Sequence, residues 1–267
     1  MHRRTPCAVR SFGSGAFLMA ALFLAHPVSA QSPSLLPDSV VAALAGELSG
    51  ETAMRNLEVI AREHRMRGSR GWRRAAEYIV AQLAAYGITD ARIEQFRADG
   101  RTYYGTQRSR PPWDAEFAEL WELRQDGSAW IRHTRLASWD AMPVTLAQDS
   151  ESGEVTADLV DVGDGTSESD YAGKDLRGKL VLAGAQPGAV VPLAITRYGA
   201  AGIVSYAQNQ RTAWWGEDEN LVRWGHLETF DVSPAFAFMV SLKQARTLRQ
   251  RLRHDPRGRP DVLQADR

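Results

Sequence analysis

What this chain lacks narrows its chemistry before any motif is considered. Its 267 residues contain a single cysteine, Cys7. That residue falls in an N-terminal stretch with the marks of an export signal: Arg3, Arg4 and Arg10, an apolar run from Ala16 to Ala25, and small residues at Val28-Ser29-Ala30 where a signal peptidase cuts. Residues 1–30 are read as a signal peptide and Gln31 as the mature start. A mature chain without thiols excludes disulfides, a cysteine nucleophile and cysteine-ligated zinc, so core packing alone must hold it together. Long hydrophobic runs are also missing. The stretch from Ala16 to Ala25 falls short of the roughly 20 residues that cross a bilayer. The expected location is secreted or periplasmic, with no membrane association after cleavage.

Lysine is scarce, the only ones being Lys174, Lys179 and Lys243. Arginine brings the basic total to 32, which 32 acidic residues balance, and zero net charge gives no electrostatic case for nucleic acid as a partner. Histidine is scarce too. Beyond the signal there are His64, His133, His226 and His254, no Glu-Glu pair occurs, and no His-x-Asp follows an apolar strand. With 44% hydrophobic and 24% charged residues, the composition is that of a globular protein able to bury a core.

The most informative stretch runs from Asp158 to Tyr206. Leu159, Val160 and Val162 form an apolar run closed by Gly163 and Gly165, and Leu180 to Leu182 form a second, introduced by Arg177-Gly178-Lys179 and closed by Gly184. Both predict short strands bounded by turns. From Gly188 to Tyr198 the period becomes helical, with Val191, Ile195 and Tyr198 on one face and Gly199 as the stop. A third strand, Gly202 to Tyr206, follows. The strand Ala157–Val162, the run Asp170-Tyr171-Ala172-Gly173-Lys174-Asp175-Leu176-Arg177-Gly178-Lys179-Leu180-Val181-Leu182 and the block Tyr198-Gly199-Ala200-Ala201-Gly202-Ile203-Val204-Ser205-Tyr206 resemble the protease-associated domain, in the version inserted into zinc aminopeptidases of the peptidase M28 family. The resemblance implies a binding and covering role for this part.

Upstream, Val40, Val41, Leu44 and Leu48 suggest a helix ending at Gly50, and Glu51 to about Glu63 a second. Ser69 is positioned to cap a third, whose stripe of Ala75, Ala76, Ile79, Val80 and Leu83 ends at Gly87. Ile88 to Phe96 reads as a strand. Arg67-Gly68-Ser69-Arg70-Gly71 followed by Ala75-Ala76-Glu77-Tyr78-Ile79 is similar to the opening of the M28 catalytic domain. Phe117–Leu123 and Ala129–Leu136 flank Asp126-Gly127, a hairpin signal. After Tyr206 come Trp214, Trp215 and Trp224 among charged residues. Strand-like Ala235–Val240 follows, then Ser241 as a cap and a helix with Ala245, Leu248 and Leu252 on its apolar face. Asp261 to Ala265 looks like the start of a further strand.

The resemblance implies zinc for a complete family member. Two adjacent zinc ions need two His, two or three carboxylates and a Glu as base, and this sequence does not offer that set. No catalytic or metal residue is assigned, and no cofactor is expected in this chain. His226-Leu227-Glu228 is the nearest thing to a ligand pair, read as a solvated or hydrogen-bonded loop. His64 is read as a histidine at a helix C-terminus, favoured by the helix dipole. Gly68-Ser69-Arg70-Gly71 is read as a cap rather than a nucleophile elbow, Gly184 to Gly188 as a plain strand-helix turn rather than a phosphate loop, and Gly163-Asp164-Gly165 as a turn rather than a calcium loop. Trp214, Trp215 and Trp224 are either the core of a hairpin or a partly exposed lid that binds substrate.

The expected fold is mixed α/β: an incomplete N-terminal portion of a zinc-peptidase α/β/α domain over residues 31–150, a protease-associated α+β domain over 151–253, and the start of a return into the peptidase domain over 254–267. Two functions are carried forward. One is the N-terminal and protease-associated portion of a secreted M28-type metallopeptidase that hydrolyses peptides. The other is a stand-alone, non-catalytic module holding a peptide or partner protein. Mass spectrometry of the exported protein is expected to find Gln31 at its N-terminus; retention of residues 1–30 would make that segment an anchor.

Overall fold

Strands buried on both faces read as continuous apolar runs, because neither face can tolerate an unpaired polar group. Leu180–Ala183 and Gly202–Ser205 are such runs, and every residue in both is buried. They sit at the heart of a sheet in the computed structural model, which describes residues 35–208, 218–230, 235–254 and 262–266. The chain forms two compact units, Met1–Glu51 and Thr52–Arg267. In the first, α1 (Asp38–Glu47) carries no buried residue.

In chain order the remaining elements are α2 (Gly50–Ala61), α3 (Arg70–Ala85), the two-residue strands β1 (Tyr103–Tyr104) and β2 (Gln107–Arg108), β3 (Glu119–Asp126), β4 (Ala129–Ser138), β5 (Glu154–Asp161), β6 (Leu180–Ala183), α4 (Pro187–Val191), β7 (Gly202–Ser205), β8 (Ala237–Met239), α5 (Leu242–His254) and β9 (Val262–Asp266). Seven strands make one sheet in the order β4-β3-β9-β5-β6-β7-β8. From β5 to β8 the pairing is parallel, with Val181 opposite both Val160 and Ile203. The fold is mixed α/β. The residues expected to begin an unfinished strand instead form β9, which pairs antiparallel with β3 on one side and β5 on the other. Strands on both sides of residue 150 therefore share one sheet.

The period of two along each strand sorts its side chains into two cores. Leu159, Leu180, Leu182, Val204 and Phe238 face α5, where Ala245 and Leu248 are buried, as the helix periodicity predicts. Val181, Ile203 and Ala237 face the opposite side with Val190, Ala194 and Tyr171. Burying each Leu or Ile of this kind contributes about 1.5–3 kcal/mol. At Gly202 a Cβ would lie 2.5 Å from the Phe236 ring, so glycine is what lets the ring approach β7 this closely.

The caps follow the sequence. Ser69 Oγ accepts from Trp72 N at 3.1 Å. Gly87, at φ 89°, closes α3 in a Schellman arrangement in which Ile88 N donates to Leu83 O and Gly87 N to Ala84 O. At α5, Ser241 Oγ accepts from Gln244 N while Gln244 Oε1 accepts from Ser241 N.

Three expectations need correction. Residues 88–96 form no strand: no described strand runs beside them, and Phe96 lies 68% exposed with its ring edge-on to Tyr104. The helix expected from Gly188 to Tyr198 is α-helical only as far as Val191. Pro192 has no N–H to donate and its ring crowds the preceding turn, so 192–197 widens into π turns in which Tyr198 N reaches back to Leu193 O. The buried face is rotated accordingly, to Pro187, Val190 and Ala194, with Val191, Ile195 and Tyr198 half-buried at its margin. In the β3–β4 hairpin Asp126 pairs with Ala129, so the loop is Gly127-Ser128 with Gly127 at φ 61°, and Asp126 ends the strand instead of entering the turn.

The stripe of α3 is thinly covered: Ala75 is buried, but Ile79 is 42% exposed. Amide hydrogen exchange is expected to be slow through Leu180–Ala183 and Gly202–Ser205 and fast through 75–83, since opening free energy follows burial and contact density. Equal protection of both segments would show that the α3 face is covered in solution.

Candidate functional site

In open parallel sheets the carboxyl ends of the strands leave a crevice where loops meet. Here β6 runs into Gly184-Ala185-Gln186 before α4, and β7 into Tyr206-Ala207-Gln208. Ser205 Oγ ties the two together by donating to Ala185 O at 2.8 Å and accepting from Ala207 N at 3.2 Å. At Gly184 a Cβ would lie 2.7 Å from Asp164 Oδ1 and 3.2 Å from the Tyr206 hydroxyl, so any larger residue must displace those side chains. Burial pushes the Tyr206 phenol up, against the opposing charge of Arg249, which itself pairs with Asp161 at 2.8 Å.

The segment 221–229 crosses these ends. Gly188 N donates to His226 O at 3.0 Å, and Gln186 Nε2 donates to Trp224 O at 3.3 Å. At Gly225 the backbone presses on Met239, whose Sδ would be 2.2 Å from a Cβ. With its neighbours fixed, Trp224 is presented outward, 45% exposed, with its ring stacked on His226 at 5.0 Å and 19°. Gln186 Oε1 and His226 Nδ1 are buried without a hydrogen-bond partner. His226 is half-buried beside the indole, its backbone O bonded to Gly188 N and its Nδ1 without a partner. Trp214 and Trp215, read with Trp224 as one cluster, lie outside the described residues.

This arrangement can stack on a flat or apolar group and offer it an amide. Its described residues set no nucleophile beside a base. Among the described residues no three His, Cys, Asp or Glu side chains come together to hold a metal ion, so those residues do not fit a zinc centre. Glu228, the partner suggested for His226, lies exposed near Gly188.

Behind the 221–229 segment lies a node that no sequence signal marks. Asp149 has φ 64°, the one described non-glycine residue with positive φ. Its Oδ1 accepts from Arg67 Nη2, and its Oδ2 accepts from Thr229 Oγ1 at 2.8 Å and Gln148 Nε2 at 3.0 Å. Arg67 Nε also donates to Pro111 O at 2.7 Å. The node joins the Arg67–Gly71 turn to the loop that carries Trp224. His64, in the same turn, lies beyond the end of α2. Its ring is edge-on to Trp139 at 4.5 Å and Trp113 at 5.8 Å, and burial holds its pKa below the ordinary value. His64 follows the end of α2 at Ala61 by three residues, and desolvation by the two indoles outweighs whatever the helix C-terminus contributes to its charge.

No family model matches the chain, and no curated protein matches it. Among solved structures it is similar to an aminopeptidase from Aneurinibacillus sp. strain AM-1, at 21% identity over 82% of this chain and 43% of that one, with a TM-score of 0.40. It is also similar to BSAP, a zinc aminopeptidase from Bacillus subtilis, at 13% identity over 79% and 41%, TM-score 0.42. A third likeness is to a peptidase M28 precursor from Shewanella amazonensis SB2B, at 14% identity over 86% and 50%, TM-score 0.43. The chain spans half or less of the length of each.

Asp149 gives the site its most direct test. Asp149→Ala removes the ion pair with Arg67 and two further bonds accepted by the same carboxylate while leaving a β-carbon in the left-handed region, an expected loss of about 3 kcal/mol. Asp149→Asn keeps one acceptor and tolerates that backbone, for an expected loss of about 1 kcal/mol. Urea midpoints at unchanged m-value report both, and equal losses would mean that the backbone conformation and the acceptor count do not matter here.

Proposed function

We propose that the chain is the N-terminal and protease-associated portion of a secreted M28-type zinc metallopeptidase with aminopeptidase-like action on peptides, and that this portion contributes binding and covering rather than the metal chemistry. One observation carries the reading. The three sequence blocks that resemble the protease-associated domain form consecutive strands β5, β6 and β7 of one parallel sheet, and the carboxyl end of that sheet presents Trp224 on a loop pinned through Asp149 and Arg67 to the turn that resembles the opening of the catalytic domain. On this reading residues 151–253 hold a peptide or protein substrate, with Trp214, Trp215 and Trp224 as a rim over it. Zinc belongs to the complete family member.

A second reading, a stand-alone binding module without catalysis, is favoured by a different observation: the sheet is continuous from β4 to β8, so strands before and after residue 150 complete one another.

Purified residues 31–267 are expected to show no turnover of aminoacyl chromogenic substrates, with or without added zinc. An unstructured peptide is expected to quench their tryptophan fluorescence saturably, and Trp224→Ala to weaken that binding by about tenfold, the scale of one lost aromatic contact. Metal-dependent turnover that survives repurification and is lost in His226→Ala would overturn the assignment. Quenching unaffected by Trp224→Ala would move the binding surface elsewhere.

A further inference from the structure

Away from the Trp224 loop, the turn after α2 and the segment following β4 enclose a cleft of about 240 Å³. Six charged side chains line it, three arginines (Arg62, Arg70, Arg74) and three acids (Glu63, Asp114, Asp140). Four of them satisfy one another: Arg74 grips Glu63 with N–O distances of 2.6–3.0 Å, and Arg70 Nε donates to Asp114 Oδ2 at 2.9 Å. Arg62 and Asp140 remain, and neither has an ion pair or hydrogen bond among the described residues. The cleft is also lined by His64 and Trp139, whose rings meet edge to face, and His64 Nδ1 is buried without a partner.

A lining of three cations and three anions attracts no single-charge ligand on balance. An anion drawn to Arg62 meets Asp140, and a cation drawn to Asp140 meets the arginines. A molecule carrying both charges satisfies the two free groups together, since the guanidinium fork matches a carboxylate and a carboxylate accepts from an ammonium. The volume lies below the roughly 300–1,000 Å³ of drug-sized sites, which limits the occupant to a small molecule.

We propose that this cleft binds a small zwitterion such as a free amino acid, its carboxylate on Arg62, its ammonium on Asp140 and its apolar part against Trp139 and His64. The site is separate from the Trp224 loop and stands whether or not the peptidase reading does.

Isothermal titration calorimetry of residues 31–267 tests it with glycine, leucine, β-alanine and γ-aminobutyrate, each also as its N-acetyl and its amide derivative, so that the series reads the spacing of the two charges. At least one parent compound is expected to bind saturably with a dissociation constant on the order of 1 mM, and both of its derivatives at least ~10-fold more weakly. Arg62→Gln and Asp140→Asn, at exposed positions, are each expected to produce a similar loss, while Trp224→Ala leaves it unchanged. If either variant fails to fold, the comparison of parent and blocked ligands decides alone. Absence of saturable binding by every parent overturns the proposal, as does a singly charged derivative that binds as well as its parent.

Discussion

A single carboxylate holds together three segments far apart in sequence. Asp149 accepts from Arg67 in the turn after α2, from Gln148 beside it and from Thr229 in the loop that carries Trp224. Its backbone sits in the left-handed region, which costs a residue with a β-carbon roughly 1–2 kcal/mol, and the three bonds to its side chain offset that cost. The side chain is only 10% exposed, so water does little to screen the pair with Arg67. The node adds a buried link between the 64–71 turn and the 221–229 loop to the contacts each makes by itself, such as Arg70 with Asp114 and Gln186 with Trp224 O.

The sheet makes such a node useful by giving it something rigid to lean on. Strands β5 to β8 are packed on both faces, by α5 on one and by α4 and Tyr171 on the other. Tyr171 illustrates how the connections are fixed: its ring stacks on Tyr198 at 4.8 Å, its hydroxyl donates to Gly165 O at 2.6 Å, and burial pushes its pKa up to about 12. It cannot ionise in any ordinary buffer, so the bond persists. Loops anchored in this way can present Trp224 and Gln186 in constant register, provided glycine at 225 and Thr229 are kept.

Much of this was legible from the sequence because local signals and tertiary packing agree. The apolar runs at Leu180 and Gly202, the capping serines 69 and 241 and the Gly87 stop each satisfy a local rule that the fold also needs. Elsewhere the two part company. Ile88–Phe96 follows a helix and its glycine stop with scattered apolar residues, yet strand character requires a neighbour to pair with, and pairing cannot be read from one segment. Pro192 stands in plain sight, but an apolar period on either side outweighs it in a pattern count. Asp149 carries no signal, since nothing in Gln148-Asp149-Ser150 requires positive φ. At the candidate site, Trp224 stood out by composition, whereas Gln186 matters through where α4 begins, and Arg62 and Asp140 through what their neighbours have already paired with.

The two margins of the sheet are finished differently. Beyond β8, the chain around Leu146–Glu151 lies alongside and takes up its backbone groups. Beyond β4 no described strand pairs, and ten residues of backbone lie at the margin. There Arg132 and Arg135 share one carboxylate, Glu119, at 3.5 and 3.2 Å, and His133 sits between them. The register of β4 against β3 also shifts at Leu120/Trp121 and Glu122/Leu123, and such irregularities bend and twist a strand. Charged side chains and a broken register at an open margin are features that disfavour edge-to-edge pairing of sheets, the route by which an open sheet grows into a fibre.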